Sequence, residues 1–466
     1  MHRAPSSPAS QHLPSESDEA DALPGPASGP SVVVVGAGLA GAQTVAALRA
    51  GGALGRITVL GAERVAPYDR PPLSKELFTR PVPAWVKDET GADVEVLADE
   101  TVLDDPAVSL VPGRDGGPSV VTTASGRRLV ADVVVLACGS EPVRPAGWAS
   151  ARTLHTLADA AVLRDELTAG RRLVCVGAGW IGAELAGAAA AVGVEVTVVE
   201  AAAVPLHRQL GPEVGALLRT WYDTAGVTLV TGVTVTSVGP EGVHVDHGTH
   251  REMLGADVVV AAVGARPATS WLDGAVPRGL RGEVLTDAHG RVLAAAHRNH
   301  VPAAADGGDV LADTAAYVPD APQPAVWAVG DCASRTDPVW GHVHGGHWSA
   351  ALLDPGTVAR SVLGLDVVPV PAPYVFSKQL GHDLALFGLP DAGSDRVVLR
   401  GDPAAGGWVA CYVSDEGLVT GMLVVDSPRE VAAARRLMAL GPARLDLGLV
   451  TDPGVPLKTT AVALPA

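Results

Sequence analysis

The sequence contains two copies of a glycine pattern, Gly-x-Gly-x-x-Gly, at Gly36–Gly41 and at Gly177–Gly182. Each copy follows an apolar, β-branched run, Ser31–Val35 or Leu173–Val176, and leads into an alanine-rich stretch that is typical of a helix. In a strand–turn–helix unit, the first glycine permits a tight turn, the second lets the backbone approach a pyrophosphate, and the third packs helix against strand. One copy is a weak signal. Two copies predict a chain that holds two dinucleotides, most economically a flavin and a nicotinamide.

Length and composition indicate a globular protein of two or three domains, because the chain has 466 residues, of which 47% are hydrophobic and 18% charged. The formal net charge of −17 opposes binding to nucleic acids and to anionic membrane surfaces. No stretch approaches the ~20 apolar residues of a membrane span. Residues 1–30 are rich in Pro, Ser and Ala and lack an apolar core segment. We therefore predict a disordered tail rather than a signal peptide, and a cytoplasmic location.

The four cysteines do not form a Cys-x-x-Cys pair, which argues against a disulfide scaffold, a zinc site or a thioredoxin-type redox pair. Cys138, Cys175 and Cys332 lie in or beside apolar, strand-like runs. We therefore expect them to be buried as small hydrophobic side chains, and we predict no metal site.

An internal repeat extends beyond the glycine patterns, because residues 132–142 resemble residues 257–267, and both are buried-strand runs that end in a glycine turn. A third such run, at 325–331, follows a weakly patterned stretch at 283–324 that predicts an enlarged surface loop. Short alternating runs beyond residue 365 predict antiparallel strands. The expected fold is α/β, with two doubly wound dinucleotide-binding domains, the second inserted in the first, and a C-terminal α+β domain. The predicted limits are 1–30 for the tail, 31–150 and 283–364 for the first domain, 151–282 for the second, and 365–466 for the third.

An acidic residue, Glu200, ends the strand that follows the second glycine pattern, 23 residues after Gly177. A carboxylate there accepts hydrogen bonds from the adenosine ribose of NAD and repels the 2′-phosphate of NADP. The next residues, Ala201–Ala203, offer no arginine to hold that phosphate, so we predict NADH, with NADPH disfavoured. The alternative is a solvated strand end. Glu63 occupies the corresponding place after the first pattern and could bind the other ribose.

The segment Pro67–Lys75, which reads Pro-Tyr-Asp-Arg-Pro-Pro-Leu-Ser-Lys, is similar to the signature of FAD-dependent ferredoxin reductases that serve oxygenases. These are the putidaredoxin reductase type within the pyridine nucleotide-disulphide oxidoreductase superfamily. The resemblance covers roughly residues 31–466 and includes further motifs. These are both glycine patterns, Ala137-Cys138-Gly139, Val329-Gly330-Asp331-Cys332-Ala333, His347-Trp348-Ser349-Ala350 and Pro456-Leu457-Lys458.

The resemblance implies that NADH delivers a hydride to FAD and that single electrons then pass to a small ferredoxin-type iron–sulfur protein. It places Lys75 beside the flavin with Glu184 as its counter-charge, and both would be catalytic. Such a pair has a physical use, because the lysine stabilises negative charge on the reduced flavin while the glutamate limits the cost of burying it.

The resemblance also implies the cofactor-binding residues. For FAD they are Gly36, Gly38, Ala40, Gly41, Glu63, Arg70, Lys75, Arg144, Asp331 and Trp348. For NAD they are Gly177, Gly179, Ile181, Gly182, Glu184, Glu200, Arg208 and Gly264. Without the resemblance, Glu184 could equally be an acid favoured by the helix dipole, and Trp348 a core side chain.

Four departures from the family pattern concern the flavin rim and the surface expected to meet the partner. Ala62 replaces an aspartate, and Cys138 replaces the threonine of an Ala-Thr-Gly turn. His344 and Gly346 replace an arginine and a glutamate, and Phe376–Gln379 reads Phe-Ser-Lys-Gln where the family has Trp-Ser-Asp-Gln. These changes bear on the partner and the rate and leave the cofactor prediction unchanged.

Two other functions remain open. A disulfide or peroxide reductase needs a cysteine close to the flavin in the helix of the first unit, where this chain has Ser74 and Lys75, and no cysteine precedes Cys138. A non-catalytic flavoprotein that senses NADH would instead have a binding or signalling role. The sequence is compatible with a monomer or a homodimer.

Overall fold

A computed structural model describes residues 29–114, 116–293 and 325–462. Residues 1–28 of the predicted tail, and residues 294–324 of the predicted loop, therefore lie outside the described residues. The strands are β1 (Val32–Val35), β2 (Ile57–Leu60), β3 (Glu100–Val102), β4 (Ala107–Val111), β5 (Ser119–Thr123), β6 (Arg128–Ala131), β7 (Val133–Leu136), β8 (Ser140–Pro142), β9 (Arg172–Val176), β10 (Glu195–Glu200), β11 (Thr228–Thr231), β12 (Thr234–Gly239), β13 (Gly242–Asp246), β14 (Arg251–Gly255), β15 (Val258–Ala261), β16 (Ala265–Pro267), β17 (Val284–Thr286), β18 (Val326–Ala328), β19 (Ala333–Asp337), β20 (Gly341–His344), β21 (Tyr374–Gln379), β22 (His382–Gly388), β23 (Arg396–Arg400), β24 (Trp408–Val413) and β25 (Val419–Val425). The α-helices are α1 (Leu39–Ala50), α2 (Pro72–Lys75), α3 (Val86–Thr90), α4 (Val94–Leu97), α5 (Leu157–Glu166), α6 (Trp180–Ala191), α7 (His207–Leu217), α8 (Arg219–Thr224), α9 (Trp348–Val362), α10 (Pro428–Met438) and α11 (Leu447–Val450).

The first nucleotide-binding unit is built on a parallel sheet with the strand order β18-β7-β1-β2-β3. β1 and β7 consist of Val and Leu residues that are all buried, as expected for parallel strands covered on both faces. β18 follows the second unit in the chain, yet it pairs with β7 of the first. The sheet of the first unit is thus completed by chain that comes after the second.

The second unit repeats this design with the parallel order β11-β10-β9-β15. Its antiparallel three-stranded sheet, β12-β13-β14, packs beside the parallel one. In both units the glycine turn follows a central strand, β1 or β9, which places it at the carboxyl edge where open α/β sheets bind ligands. The two halves of the predicted repeat contribute β7 and β15, the strands beside these central strands.

The C-terminal unit is an antiparallel sheet with the order β21-β22-β25-β24-β23, and α10 packs against it. The alternating runs beyond residue 365 therefore do form strands. Helix α10 begins at Pro428, because proline is favoured at the first position of a helix. The predicted fold class is confirmed, while the predicted domain limits stay predictions. Within the described ranges, no helix is both long enough and apolar enough to cross a bilayer.

The four cysteines are free and occupy apolar surroundings. Cys175, Cys332 and Cys411 are buried, as expected for the first two. Cys138 is only half-buried, because it lies in the turn after β7 at the edge of the sheet. Burial raises the pKa of the Cys175 thiol to about 12, so this side chain behaves as a small hydrophobic group.

Candidate functional site

The two glycine turns share one geometry. Gly36 has φ +122° and Gly177 has φ +108°, in the region that disfavours other residues. A Cβ atom on Gly36 would lie 2.1 Å from the Ala137 carbonyl oxygen, and one on Gly177 would lie 2.4 Å from that of Ala262. In each unit, therefore, the first glycine lets the turn pass directly beside the neighbouring strand.

The second and third glycines of each pattern occupy the positions that the motif predicts for pyrophosphate approach and for helix packing. A Cβ atom on Gly41 or on Gly182 would lie 1.8 or 1.9 Å from the carbonyl oxygen of the first glycine, so these positions permit close helix packing. A Cβ atom on Gly38 or on Gly179 would meet no atom within 4 Å. Helices α1 and α6 begin there without a side-chain cap, which leaves backbone N–H groups free for an anion. Both turns thus fit the pyrophosphate of a dinucleotide.

Glu200 is held against the second glycine turn by two backbone hydrogen bonds. The amide of Ala178 donates to one carboxylate oxygen at 2.8 Å, and the amide of Ala202 donates to the other at 2.8 Å. The Glu200 carboxylate is therefore fixed by the backbone, unlike a freely solvated side chain at the end of a strand. Each carboxylate oxygen has a further lone pair that can accept a ribose hydroxyl.

The remaining NAD-binding residues implied by the resemblance lie around this turn. Ile181 is 41% exposed in the first turn of α6, although it is apolar. The amide of Leu206 donates to the Ala178 carbonyl, which brings the exposed Arg208, at the start of α7, close to the turn. Gly264 is exposed, has φ +116°, and follows β15.

A buried ion pair joins the two nucleotide-binding units. The Nζ of Lys75, on α2, lies 2.9 Å from Oε1 of Glu184, on α6, and their side chains are 13% and 1% exposed. Ser74 donates to one oxygen of this carboxylate and Ser377, on β21, donates to the other, both at 2.5 Å. Three units of the fold thus converge on Glu184, and its charge is fully hydrogen-bonded.

Aromatic side chains enclose the lysine. The Phe376 ring centroid lies 4.7 Å from the Lys75 Nζ, within range of a cation–π interaction, and Trp348 packs edge-on against Phe376 at 5.5 Å. The Trp348 indole donates to Asp69 at 3.0 Å, and burial raises the pKa of that carboxyl. Sequence reasoning did not assign Asp69, Phe376 or Ser377 to the site. Phe376 and Ser377 lie in the segment that matches Trp-Ser-Asp-Gln, and Asp69 lies in the Pro67–Lys75 signature, so both family motifs were available signals.

The other FAD-binding residues implied by the resemblance form two smaller groups. Arg70 forms an ion pair with Glu63 at 2.9 Å and also donates to the His155 carbonyl, while Tyr68 donates to Glu63 at 2.7 Å. Asp331 accepts hydrogen bonds from Ser140 and from the Gly346 amide, and burial raises its pKa. Ala40 is buried in the first turn of α1. Arg144 is exposed and donates to Thr153 at 2.6 Å.

His347 caps the N-terminus of helix α9, immediately before Trp348. Its Nδ1 accepts a hydrogen bond from the Ala350 amide at 3.1 Å, which requires an unprotonated nitrogen, and its Nε2 is buried without a partner among the described residues. Burial lowers the pKa of His347 to about 4. Because this lies below the ordinary value of ~6.5, the contribution to stability is complete above pH ~6.5 and is lost as the pH falls towards 4.

We therefore expect the protein to lose about 2 kcal/mol more unfolding free energy than the His347→Asn variant between pH 7 and pH 5. Asparagine can cap the helix but does not titrate in this range, so the other ionisable groups cancel in the comparison. Urea unfolding of both proteins at the two pH values measures the difference. Equal losses would show that His347 does not carry this sensitivity.

The chain belongs to the pyridine nucleotide-disulphide oxidoreductase family, which matches residues 30–352, and residues 374–461 match the reductase C-terminal domain. It is 33% identical to the ferredoxin–NAD(+) reductase component of the anthranilate 1,2-dioxygenase system of Burkholderia cepacia, over 92% of this chain and 98% of that protein. The fold is similar to a ferredoxin reductase of Rhodopseudomonas palustris, with TM-score 0.77, 26% identity, and coverage of 93% and 100% of the two chains. A covalent putidaredoxin reductase–putidaredoxin complex gives TM-score 0.74 and 26% identity, with coverage of 92% and 97%.

These similarities confirm the central predictions. The protein is an oxidoreductase that uses FAD and NAD(P)H, and its electron acceptor is a ferredoxin-type protein. They also agree with the architecture, because the two matched regions correspond to the paired nucleotide units and to the C-terminal sheet. The similarities do not assign a role to each residue of the site.

Proposed function

We propose that this protein is an NADH-dependent ferredoxin reductase whose Lys75–Glu184 pair controls the charge balance at the flavin. The observation that carries this proposal is the buried ion pair between α2 and α6, at the junction of the unit with the first glycine turn and the unit with the second. FAD is assigned to the first turn and NADH to the second. When bound, FAD converts a two-electron hydride transfer into one-electron steps.

Lys75 acts through its position and charge. Its ammonium group is largely removed from solvent, where a charge interacts more strongly with its neighbours than it does in water. The buried Glu184 carboxylate and the Phe376 ring fix the position of this cation before any substrate arrives. A preorganised cation of this kind favours negative charge on an adjacent group without the cost of reorganising solvent.

Glu184 is in turn positioned by Ser74 and Ser377. Ser377 also accepts a hydrogen bond from Gln379 at 3.0 Å, so the C-terminal sheet contributes an ordered chain of donors to the carboxylate. Asp69 has a similar positioning role, because it holds the indole of Trp348 through its N–H. The aromatic wall next to Lys75 is therefore fixed from both the first unit and the C-terminal unit.

Glu200 is proposed to select NADH over NADPH, and a double substitution tests this. In Glu200→Ala/Ala201→Arg the repelling carboxylate is lost and a guanidinium is introduced at an exposed position that can hold a 2′-phosphate. We expect the ratio of kcat/KM for NADH to that for NADPH to fall by about a hundredfold, equivalent to ~2.7 kcal/mol. Ala203→Arg, two residues further along, is the matched control. An unchanged ratio in the double variant would contradict the proposed role of Glu200.

A thiol-based reductase is less well supported. In this structure the position beside Glu184 is occupied by Ser74 and Lys75, and neither can form a disulfide. We further propose a cytoplasmic location, supported by the four free cysteines.

Two rapid-mixing experiments test the function as a whole. NADH is first mixed with the purified yellow protein, and the loss of flavin absorbance is followed. The reduced protein is then mixed with oxidised [2Fe–2S] ferredoxins. We expect fast reduction by NADH, slower reduction by NADPH, and electron transfer to at least one ferredoxin. A flavin that is reduced by NADH but transfers no electrons to any ferredoxin would favour the NADH-sensing alternative.

A further inference from the structure

The hairpin formed by β13 and β14 brings together three side chains that have no part in the dinucleotide site. Its register pairs Val245 with Glu252 and Asp246 with Arg251, and the His247 amide donates to the His250 carbonyl at 3.0 Å. The loop is therefore only two residues long, with Gly248 at φ +81°. A two-residue loop fixes the hairpin register, so the positions of its flanking side chains are determined by the backbone.

His247, His250 and Glu252 lie on the same face of this hairpin, because side chains alternate along a strand and cross-strand partners share a face. The His247 Nε2 lies 3.1 Å from a Glu252 oxygen. The two imidazole rings stack at 4.4 Å with 5° between their planes. One nitrogen or oxygen from each of the three residues lies within 4.8 Å of the others.

We propose that His247, His250 and Glu252 form a binding site for a divalent transition-metal ion of the zinc class. Two imidazoles and one carboxylate are a suitable ligand set for Zn²⁺, with water in the fourth position. When the ion binds, its bonds to the two side chains replace the hydrogen bond between His247 and Glu252. The spacing of the cysteines predicts no metal site, and this hairpin contains no cysteine.

Binding requires one defined rearrangement. The lone pairs of an imidazole lie in the ring plane, so two parallel, stacked rings cannot both point at one ion. His250 is exposed, and its ring is held by stacking on His247 and by a 3.2 Å contact with the Thr249 hydroxyl, both of which a side-chain rotation can break, so it can turn towards the other two ligands. The three ligand atoms then approach the separation of about 3.4 Å that a tetrahedral ion with bonds of ~2.1 Å imposes.

The same hairpin provides a matched control, His244. It lies on β13, pairs with Met253, and belongs to the opposite face, away from the three ligands. His244→Ala therefore removes one exposed imidazole from the same strand while leaving the proposed site complete. Asp246 is also separate from the site, because its carboxylate pairs with Arg251.

Titration of the FAD-loaded protein with Zn²⁺, followed by calorimetry, tests the proposal. We expect one ion to bind per chain, and each of His247→Ala, His250→Ala and Glu252→Gln to weaken binding by at least about tenfold. His244→Ala should change the affinity by less than about twofold. Equal affinity in all five proteins, or no binding above the background for an acidic surface, would overturn the proposal.

A second readout identifies the ligands directly. Cu²⁺ bound to the oxidised protein should show electron paramagnetic resonance couplings to two imidazole nitrogens, and to one nitrogen after either His→Ala change. Flavin reduction by NADH should be unchanged in all these variants, because none of the residues contacts the dinucleotide site. A negative result would therefore leave the proposed reductase function intact.

Discussion

Replacing Lys75 with methionine is expected to slow the reduction of bound flavin by NADH about a hundredfold and to lower the unfolding free energy by about 3 kcal/mol. Methionine preserves much of the side-chain volume but removes the cation. The Glu184 carboxylate, whose side chain is 1% exposed, would then be left with only the two serine donors. Rapid mixing with NADH measures the first effect, and urea unfolding measures the second.

Two further variants separate the stabilising role of the pair from its role in the reaction. Lys75→Met/Glu184→Gln removes both charges and keeps an acceptor for Ser377, so we expect most of the lost stability to return while flavin reduction stays slow. Lys378→Met is the matched control, because this lysine is exposed on the same strand as Ser377. Flavin reduction at the normal rate in the double variant would show that the pair is only structural.

The second large effect concerns the glycines of the second glycine turn, which we propose binds NADH. Gly182→Ala places a Cβ atom 1.9 Å from the Gly177 carbonyl oxygen, so helix α6 must move away from its strand. We expect a loss of at least about 2 kcal/mol in stability, together with loss of NADH binding. Gly179→Ala meets no atom within 4 Å, so stability should change by less than about 0.5 kcal/mol. Its Cβ atom nevertheless obstructs the approach of the pyrophosphate, and we expect at least about tenfold weaker binding.

Calorimetric titration of the reduced protein with NADH, in which the flavin can accept no further hydride, and thermal unfolding distinguish these two outcomes. Gly356→Ala in α9 is the control, because its Cβ atom also meets no atom within 4 Å and it lies outside both glycine turns. FAD should remain bound in the Gly179 and Gly182 variants, since the first turn is unchanged. Normal NADH affinity in Gly179→Ala would contradict the assignment of this turn to the pyrophosphate.

The predictions from sequence succeeded where the signal is local. The glycine patterns and the valine-rich strands are short, contiguous segments, and each has one conformation that satisfies its residues. The segment at Arg70–Lys75 was less predictable. Its two prolines are compatible with an extended segment and with the start of a helix, and Pro71, with φ −52° and ψ −37°, adopts helical angles. Proline restricts φ alone, so both conformations satisfy it.

Contacts between distant segments could not be obtained in this way. Ser377 and Glu184 are 193 positions apart, and their hydrogen bond depends on how β21 packs against α6. His247 and Glu252 are only five positions apart in the sequence, yet their contact depends on the strand register that the two-residue loop sets. A pattern of polar and apolar residues predicts which face of a strand or helix a side chain occupies. It does not predict which distant segment packs against that face.

By itself, the sequence determined that this chain folds into two dinucleotide-binding units and a C-terminal sheet, because strand, turn and helix signals act over a few neighbouring residues. The surroundings of Lys75, in contrast, depend on tertiary packing. Its ammonium group is fixed by a carboxylate from the second unit and by an aromatic ring from the C-terminal sheet. The physical reason is that the interaction energy of a buried charge depends on its removal from water and on the charged and polar groups beside it. Packing between distant segments provides both.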